Sequence, residues 1–469
     1  MSGEAVEQGR KRRWPWIVGA LLGLPLLLIA GLLLVMEYNS RQSFPEATPD
    51  AQQAALVSRA EQLGATDLRT LAAPGGGIVL AGKLEGRQFS VAIPRTWNGG
   101  ALLFLHGYST PGTPVRVLDD PIAWGSGSND VLLKAYRDGY AAGHTAYDKA
   151  GLGVESASRN TKRLRDLLAG LGARRVLLAG TSMGGNIVLS LLENYPGDFQ
   201  GAMASCGVTD GWETQLGQLI DMRAAYNALT AGTPYELPGE KDVRRSALSA
   251  EAPLGLESAK ELYRWMQIYR VAMPVIALSK AAAANPQGPE ARILRQVASI
   301  GGFEPEVASL AFPLVTVSLG MDDMVATLGG QIHGNRHTLY ASPELSAAEA
   351  AKLNRDIQRL DADPQAIANA RRWHQANGSF DVPLVTIHNR IDSLVPHSQT
   401  EALGRIAAAA GKSAKLLQFT VPPTRAKLPI GGVEGYTHCG FDKTQSAAVW
   451  EALRGWVETG VRPPAVLPG

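Results

Sequence analysis

One stretch constrains the fold more than any other: Arg174 to Gly185, RRVLLAGTSMGG, where an apolar run ends in Gly-x-Ser-x-Gly and passes straight into a helical pattern. A serine at a cramped strand-to-helix turn projects its hydroxyl beyond the sheet edge, and glycines on either side tolerate the crowding. Val176, Leu177 and Leu178 read as a buried parallel strand. Ile187, Val188, Leu191, Leu192 and Tyr195 share one face of the helix that follows, which Pro196 ends. The five-residue pattern alone arises by accident in a glycine-rich chain, so the flanking strand and helix carry the reading. Ser182 is the candidate nucleophile.

The chain has 469 residues, 45% of them hydrophobic and 19% charged, with a net charge of +2. Such a composition belongs to a globular protein of two or three domains, or to one large α/β domain carrying an insertion. No basic run occurs beyond the first thirteen residues, so no nucleic-acid partner is expected. After Lys11-Arg12-Arg13, the run Trp14 to Met36 carries no charge and is long enough to cross a bilayer as a helix, for which about 20 residues suffice. Its length and the lack of a small-x-small site after Met36 favour an uncleaved anchor over a cleaved leader. Positive charge before it, against Glu37 and Glu46 after it, places residues 1–13 in the cytoplasm and the rest outside, as a single-pass membrane protein with an extracytoplasmic (periplasmic or cell-exterior) catalytic domain.

The expected organisation is a cytoplasmic tail (1–13), a transmembrane signal anchor (14–37), a polar spacer with a first helix (38–72), a catalytic domain in two pieces (73–210 and 380–462) and a helical cap or lid between them (211–379). Strands are expected at Gln88–Ile93, Ala101–Leu105, Tyr140–Thr145, Ala202–Ser205, Pro383–His388 and Lys415–Val421, alternating with helices such as that marked by Leu164, Leu167, Leu168 and Leu171. That alternation implies a mostly parallel sheet flanked by helices. Asp210 to Asp381 is too long for a loop, and its patterns are helical. Ser346 to Glu349 is a capping box followed by Leu353, Ile357 and Leu360, while Leu262, Met266 and Tyr269 mark another helix. A closing helix buries Val449, Leu453, Trp456 and Val457.

A serine hydroxyl needs a base, and the base needs an acid to fix its tautomer. Asp392 follows the strand ending at His388, and His438 follows the last strand, giving the chain order Ser182, Asp392, His438. The elbow at Gly180–Gly184, the His106-Gly107 turn, the Asp392 loop ending in Val395-Pro396 and the late His438 together resemble the α/β-hydrolase superfamily of serine hydrolases, over residues 85–210 and 380–460. Within it the chain is similar to bacterial esterases and the prolyl-oligopeptidase-like and feruloyl esterase groups. Relatives often carry a cysteine directly after the histidine, as Cys439 stands here; tannase-type feruloyl esterases also have one directly before the serine, where this chain has Thr181.

The resemblance implies an α/β-hydrolase fold with a large inserted cap, and hydrolysis of a small-molecule or acylated substrate, a carboxylic ester first, without cofactor. Ser182 would attack, His438 would carry the proton, Asp392 would stabilise the imidazolium, and the backbone N–H groups of Tyr108 and Met183 would hold the oxyanion. His106 shapes the turn. A prolyl-oligopeptidase-like exopeptidase is the second reading, and a non-catalytic binding protein on the same scaffold the third. Only two cysteines occur, open at first to pairing or to two buried thiols; their placement, at the end of the strand beside the nucleophile strand and next to His438, leads us to expect a Cys206–Cys439 disulfide. In the cap, Asp322 and Asp323 read as solvated acids. His333 and His337 have a metal-like spacing, but Gly334 and Asn335 disfavour the helix this requires, and no metal is expected. Tyr263, Trp265 and Tyr269 either line an acyl pocket or serve helix packing.

Overall fold

Four apolar runs without alternation, ALLFL, VLLA, AMAS and LVTI, cannot each keep one face wet, and the computed structural model, which describes residues 45–123, 130–253 and 257–467, buries them as neighbouring central strands. In chain order the first half reads α1 (Ala51–Gln62), β1 (Ala65–Ala73), β2 (Gly77–Leu84), β3 (Arg87–Ile93), β4 (Gly100–Leu105), α2 (Val131–Arg137), β5 (Ala141–Thr145), α3 (Val154–Leu171), β6 (Arg175–Thr181), α4 (Met183–Asn194) and β7 (Gly201–Ser205). The insertion follows as α5 (Trp212–Thr230), α6 (Glu257–Ala284), α7 (Pro289–Gly301), α8 (Val307–Leu328), α9 (Ala347–Asp356) and α10 (Pro364–Trp373). The chain closes with β8 (Leu384–Asn389), α11 (Ser398–Ala409), β9 (Leu416–Val421) and α12 (Lys443–Thr459).

The nine strands form one sheet in the order β1-β2-β3-β5-β4-β6-β7-β8-β9. From β5 to β9 every pair is parallel, whereas β1, β2, β3 and β5 pair antiparallel. This is a mostly parallel, α/β-hydrolase-like fold. Parallel neighbours need crossover helices on the faces: Leu164, Leu167 and Leu168 of α3 pack on one side of the core, and Val449, Trp450, Leu453 and Trp456 of α12 are buried on their helix. In α12 Trp450 takes the buried place expected for Val457. Gly172 ends α3 in a left-handed conformation, φ 112°, that a side chain would strain.

The two pieces of the sheet meet because β7 pairs directly with β8, although six helices among the described residues separate them in sequence. Those helices build a second apolar core around Met222, Tyr226, Val275, Leu278, Leu310 and Leu314. The capping box at Ser346 forms, but α9 ends at Asp356, so buried Ile357 and Leu360 continue the apolar pattern beyond the helix. On α6 the face marked by Leu262, Met266 and Tyr269 points outward, each more than half exposed, and the inward stripe is Val271, Val275 and Leu278. The helix carries apolar residues on both sides, so its pattern announces a helix without saying which face is inside. α8 is apolar and long enough to cross a bilayer by composition, yet more than half of its most apolar window is buried within the protein.

The first helix expected within residues 38–72 forms as α1, but residues 46–72 are not a spacer. Glu46–Gly469 is one compact unit; within it α1 packs on α3, and β1 adds an edge strand to β2. The register shift between Thr66 and Arg69 breaks the alternation that would have revealed β1. The uncharged run Trp14–Met36, and with it the expected anchor, lies outside the described residues.

Candidate active site

The elbow forms where β6 hands over to α4, and its crowding is visible atom by atom. Ser182 sits at φ 57°, ψ −122°, a conformation that costs a non-glycine residue strain and persists only where its surroundings enforce it. A Cβ on Gly180 would stand 2.2 Å from the Gly184 carbonyl oxygen, and one on Gly184 would stand 2.0 Å from that of Leu105. Both contacts are with backbone, so no side-chain rotation relieves them. Ser182 N–H donates to Ser205 O at 3.0 Å, which ties the strained residue to the neighbouring β7 strand.

Two further loops at the carboxyl ends of strands reach this serine. His438 Nε2 lies 2.8 Å from Ser182 Oγ, and its Nδ1 lies 2.7 Å from Asp392 Oδ1. The Asp392 side chain is wholly buried. Its Oδ1 also accepts the N–H groups of Leu394 and Val395, both at 2.9 Å, and Oδ2 accepts that of Cys439 at 2.8 Å. Burial would raise its pKa, but the His438 imidazole, nearby His388 and the Cys439 N–H outweigh it and hold the carboxyl at about 2. A carboxylate so placed fixes Nδ1–H on the imidazole, leaving Nε2 as the acceptor that faces the hydroxyl. The three side chains are thus hydrogen-bonded in series.

The His106–Ser109 turn, from which an oxyanion donor is expected, is equally close. A Cβ on Gly107 would stand 3.1 Å from Ser182 Cβ, so the His106–Ser109 turn runs directly against the elbow. Met183 opens α4, and the first N–H groups of a helix have no partner within it. His106 is built into the turn, as expected: its ring stacks on Tyr147 with centroids 3.8 Å apart, Nδ1 faces the Gly107 carbonyl at 2.8 Å, and burial lowers its pKa. A cavity of about 250 Å³, lined in part by Phe104, His106, Arg116, His144 and Tyr147, opens beside that turn.

Cys206 and Cys439 are joined as a disulfide, with Cα atoms 5.3 Å apart, and anchor the base loop to the end of β7. Cys206, Asp392, His438 and Cys439 bring four metal-ligand atoms within 4.8 Å of one another. The donor set is already committed, both sulfurs to the disulfide and both imidazole nitrogens to their partners. His333 Nε2 pairs with Asp221 Oδ1 at 2.8 Å, outside any helix. Trp265 and Tyr269 are 57% and 62% exposed on the outer face of α6, so neither lines a pocket at the serine.

Two supporting residues escaped the sequence reading. Buried Asn389, the last residue of β8, accepts the Gly440 N–H at 2.9 Å and donates to the Gly440 carbonyl at 3.2 Å, pinning the residue after Cys439. His388 lies beneath Asp392: its Nε2 faces the Val395 carbonyl at 2.9 Å and its Nδ1 faces the Thr400 hydroxyl at 2.8 Å. Polar residues closing an otherwise apolar strand are the signal that could have found both.

No family model and no curated protein matches this sequence. Among solved structures, it is similar to feruloyl esterase B from Aspergillus oryzae (14% identity, TM-score 0.44, over 82% of this chain and 81% of that one). It is also similar to an esterase from Aspergillus oryzae (14%, 0.42, 84% and 82%) and to lipase A from Candida antarctica (13%, 0.40, 86% and 84%). At these scores the likeness adds no mechanistic weight to the geometry above.

Proposed function

We propose that this protein is a serine hydrolase that cleaves carboxylic esters through an acyl-enzyme, held at a membrane with its catalytic unit outside the cytoplasm. The observation that carries the chemistry is the chain of two short hydrogen bonds from Ser182 Oγ through His438 to buried Asp392, at 2.8 and 2.7 Å. Ser182 Oγ attacks the acyl carbonyl while its proton passes to His438 Nε2, and Asp392 stabilises the imidazolium. The tetrahedral oxyanion lies between the N–H groups of Met183 and Tyr108, a contact in which each donor is commonly worth about two to three powers of ten in rate. His438 returns the proton to the leaving alkoxide, the acyl–oxygen bond breaks, and water repeats the sequence to free the acid.

Esters are the preferred reading because an alkoxide leaves more readily than an amine, so they ask least of this arrangement. Support for the anchor comes from the uncharged run Trp14–Met36 and the basic residues before it. A panel of esters of rising acyl length beside matched amides tests the substrate class with the full-length protein. Ester turnover abolished by Ser182→Ala is expected; amide cleavage without ester cleavage would favour an exopeptidase instead.

A further inference from the structure

The His106–Ser109 turn, which carries Tyr108, is held from three sides. From the segment just after β5, Tyr147 Oη donates to the His106 carbonyl at 3.0 Å. From the flank, Gly151 N–H donates to the Ser109 carbonyl at 2.9 Å, the two residues forming an isolated antiparallel bridge. From above comes the cap helix α8: the Tyr108 ring lies against Gly320, where a Cβ would stand 2.2 Å from the phenolic oxygen.

Asp323, one turn further along α8, closes this frame. Its Oδ2 accepts the Leu152 N–H at 2.8 Å and its Oδ1 faces Lys149 Nζ at 2.5 Å. Lys149 also donates to the hydroxyl of Thr327, on the next turn of α8. Asp323 Oδ2 presses so close to Gly151 that a Cβ there would stand 2.1 Å away. Its side chain is 17% exposed, against 49% for neighbouring Asp322, which pairs with Arg245 at the surface. The two adjacent acids expected to be solvated therefore divide: one is, and the other reaches from the cap into the loop that braces the oxyanion turn.

At its other end α8 meets the base loop. Glu306 caps the helix by accepting the N–H groups of Ala308 and Ser309, and faces Gly435, where a Cβ would stand 2.8 Å from its Oε2. One helix thus touches both halves of the catalytic edge. We propose that Asp323 is a positioning residue that keeps Tyr108 N–H aimed at the oxyanion through the Lys149–Leu152 loop, an inference resting on the acyl-transfer reading above. Asp323→Asn keeps an acceptor for Leu152 and removes only the charge in a partly exposed pair with Lys149, so its effect should register in the transition state more than in folding.

The test compares Asp323→Ala and the isosteric Asp323→Asn with Asp322→Asn in the full-length protein. For each, kcat and KM on a p-nitrophenyl ester, thermal midpoint, and inhibition by an alkylboronic acid and by the carboxylate product are measured. A displacement near 1 Å costs up to about a hundredfold, so Asp323→Ala should lower kcat about ten- to a hundredfold with KM nearly unchanged. Boronate affinity should fall in step while product affinity holds. Asp323→Asn, which keeps an acceptor for Leu152 but not the charge facing Lys149, should fall between, and Asp322→Asn should match wild type. Wild-type kcat in Asp323→Asn and Asp323→Ala, or equal losses of boronate and product affinity, would overturn the assignment; if the alanine variant fails to fold, the asparagine variant decides. A wild-type protein whose Ser182 takes no boronate or phosphonate would instead overturn the acyl-transfer reading.

Discussion

The Cys206–Cys439 disulfide closes a loop with a sequence separation of 233, which contains all of the cap. On the chain-entropy relation, ΔS is near −2.1 − 1.5R ln n; with n equal to that separation it amounts to about −18 cal/mol/K, or about 5.5 kcal/mol at 25 °C. This is an upper figure, because a compact denatured chain loses less on crosslinking. Catalysis should suffer much less than stability, since the base loop has other restraints: Asp392 accepts the Cys439 N–H at 2.8 Å and Asn389 holds Gly440 by two hydrogen bonds. We therefore expect the double variant Cys206→Ala/Cys439→Ala to lose about 3–5 kcal/mol in denaturant unfolding while kcat at 25 °C stays within about tenfold of wild type. The assays are guanidinium unfolding followed by tryptophan fluorescence, and ester turnover well below the midpoint. A stability change under about 1 kcal/mol, or a kcat loss beyond a hundredfold in a protein still folded, would refute this division of labour.

Asp392→Asn should remain folded, because an amide oxygen in the Oδ1 place still accepts the Leu394 and Val395 N–H groups, yet lose about four powers of ten in kcat, since a neutral amide no longer stabilises the His438 imidazolium and its NH2 opposes the Cys439 N–H; steady-state kinetics with circular dichroism checks both. Glu193 accepts the N–H groups of Gly378 and Asn377, and burial pushes its pKa up to about 7. A folded pKa above the unfolded value of about 4.3 means the native state holds the extra proton between the two, so stability falls as pH rises from there through 7. Glu193→Gln should remove that fall, raising the melting temperature over wild type more at pH 8 than at pH 5; an identical difference at both would contradict the assignment.

How much of this was legible in the chain depends on how local the cause is. The central strands declare themselves because each is apolar on both faces, and chain order alone places the loops of Ser182, Asp392 and His438 at one edge of a parallel sheet. The edge strand β1 does not: only Ala65, Leu71 and Ala73 are buried, the residues between them are exposed or half-exposed without alternation, and a bulge interrupts the pairing. Nor does a pattern distinguish the two apolar sides of α6, whose inner face is chosen only when α8 and α7 dock on it. In the sequence Asp323 reads as solvated because its partners, Lys149 and the Leu152 N–H, lie more than 170 positions away and belong to a loop with no motif. Contacts made between distant segments leave no periodicity behind.

The most direct test of the central claim is the site of covalent capture by a fluorophosphonate, read by intact mass and peptide mapping. One adduct per chain, on Ser182, formed rapidly in wild type, absent from Ser182→Ala and slowed by orders of magnitude in His438→Ala, is the expected result. Labelling that persists in Ser182→Ala, or that proceeds at the wild-type rate without His438, would contradict it.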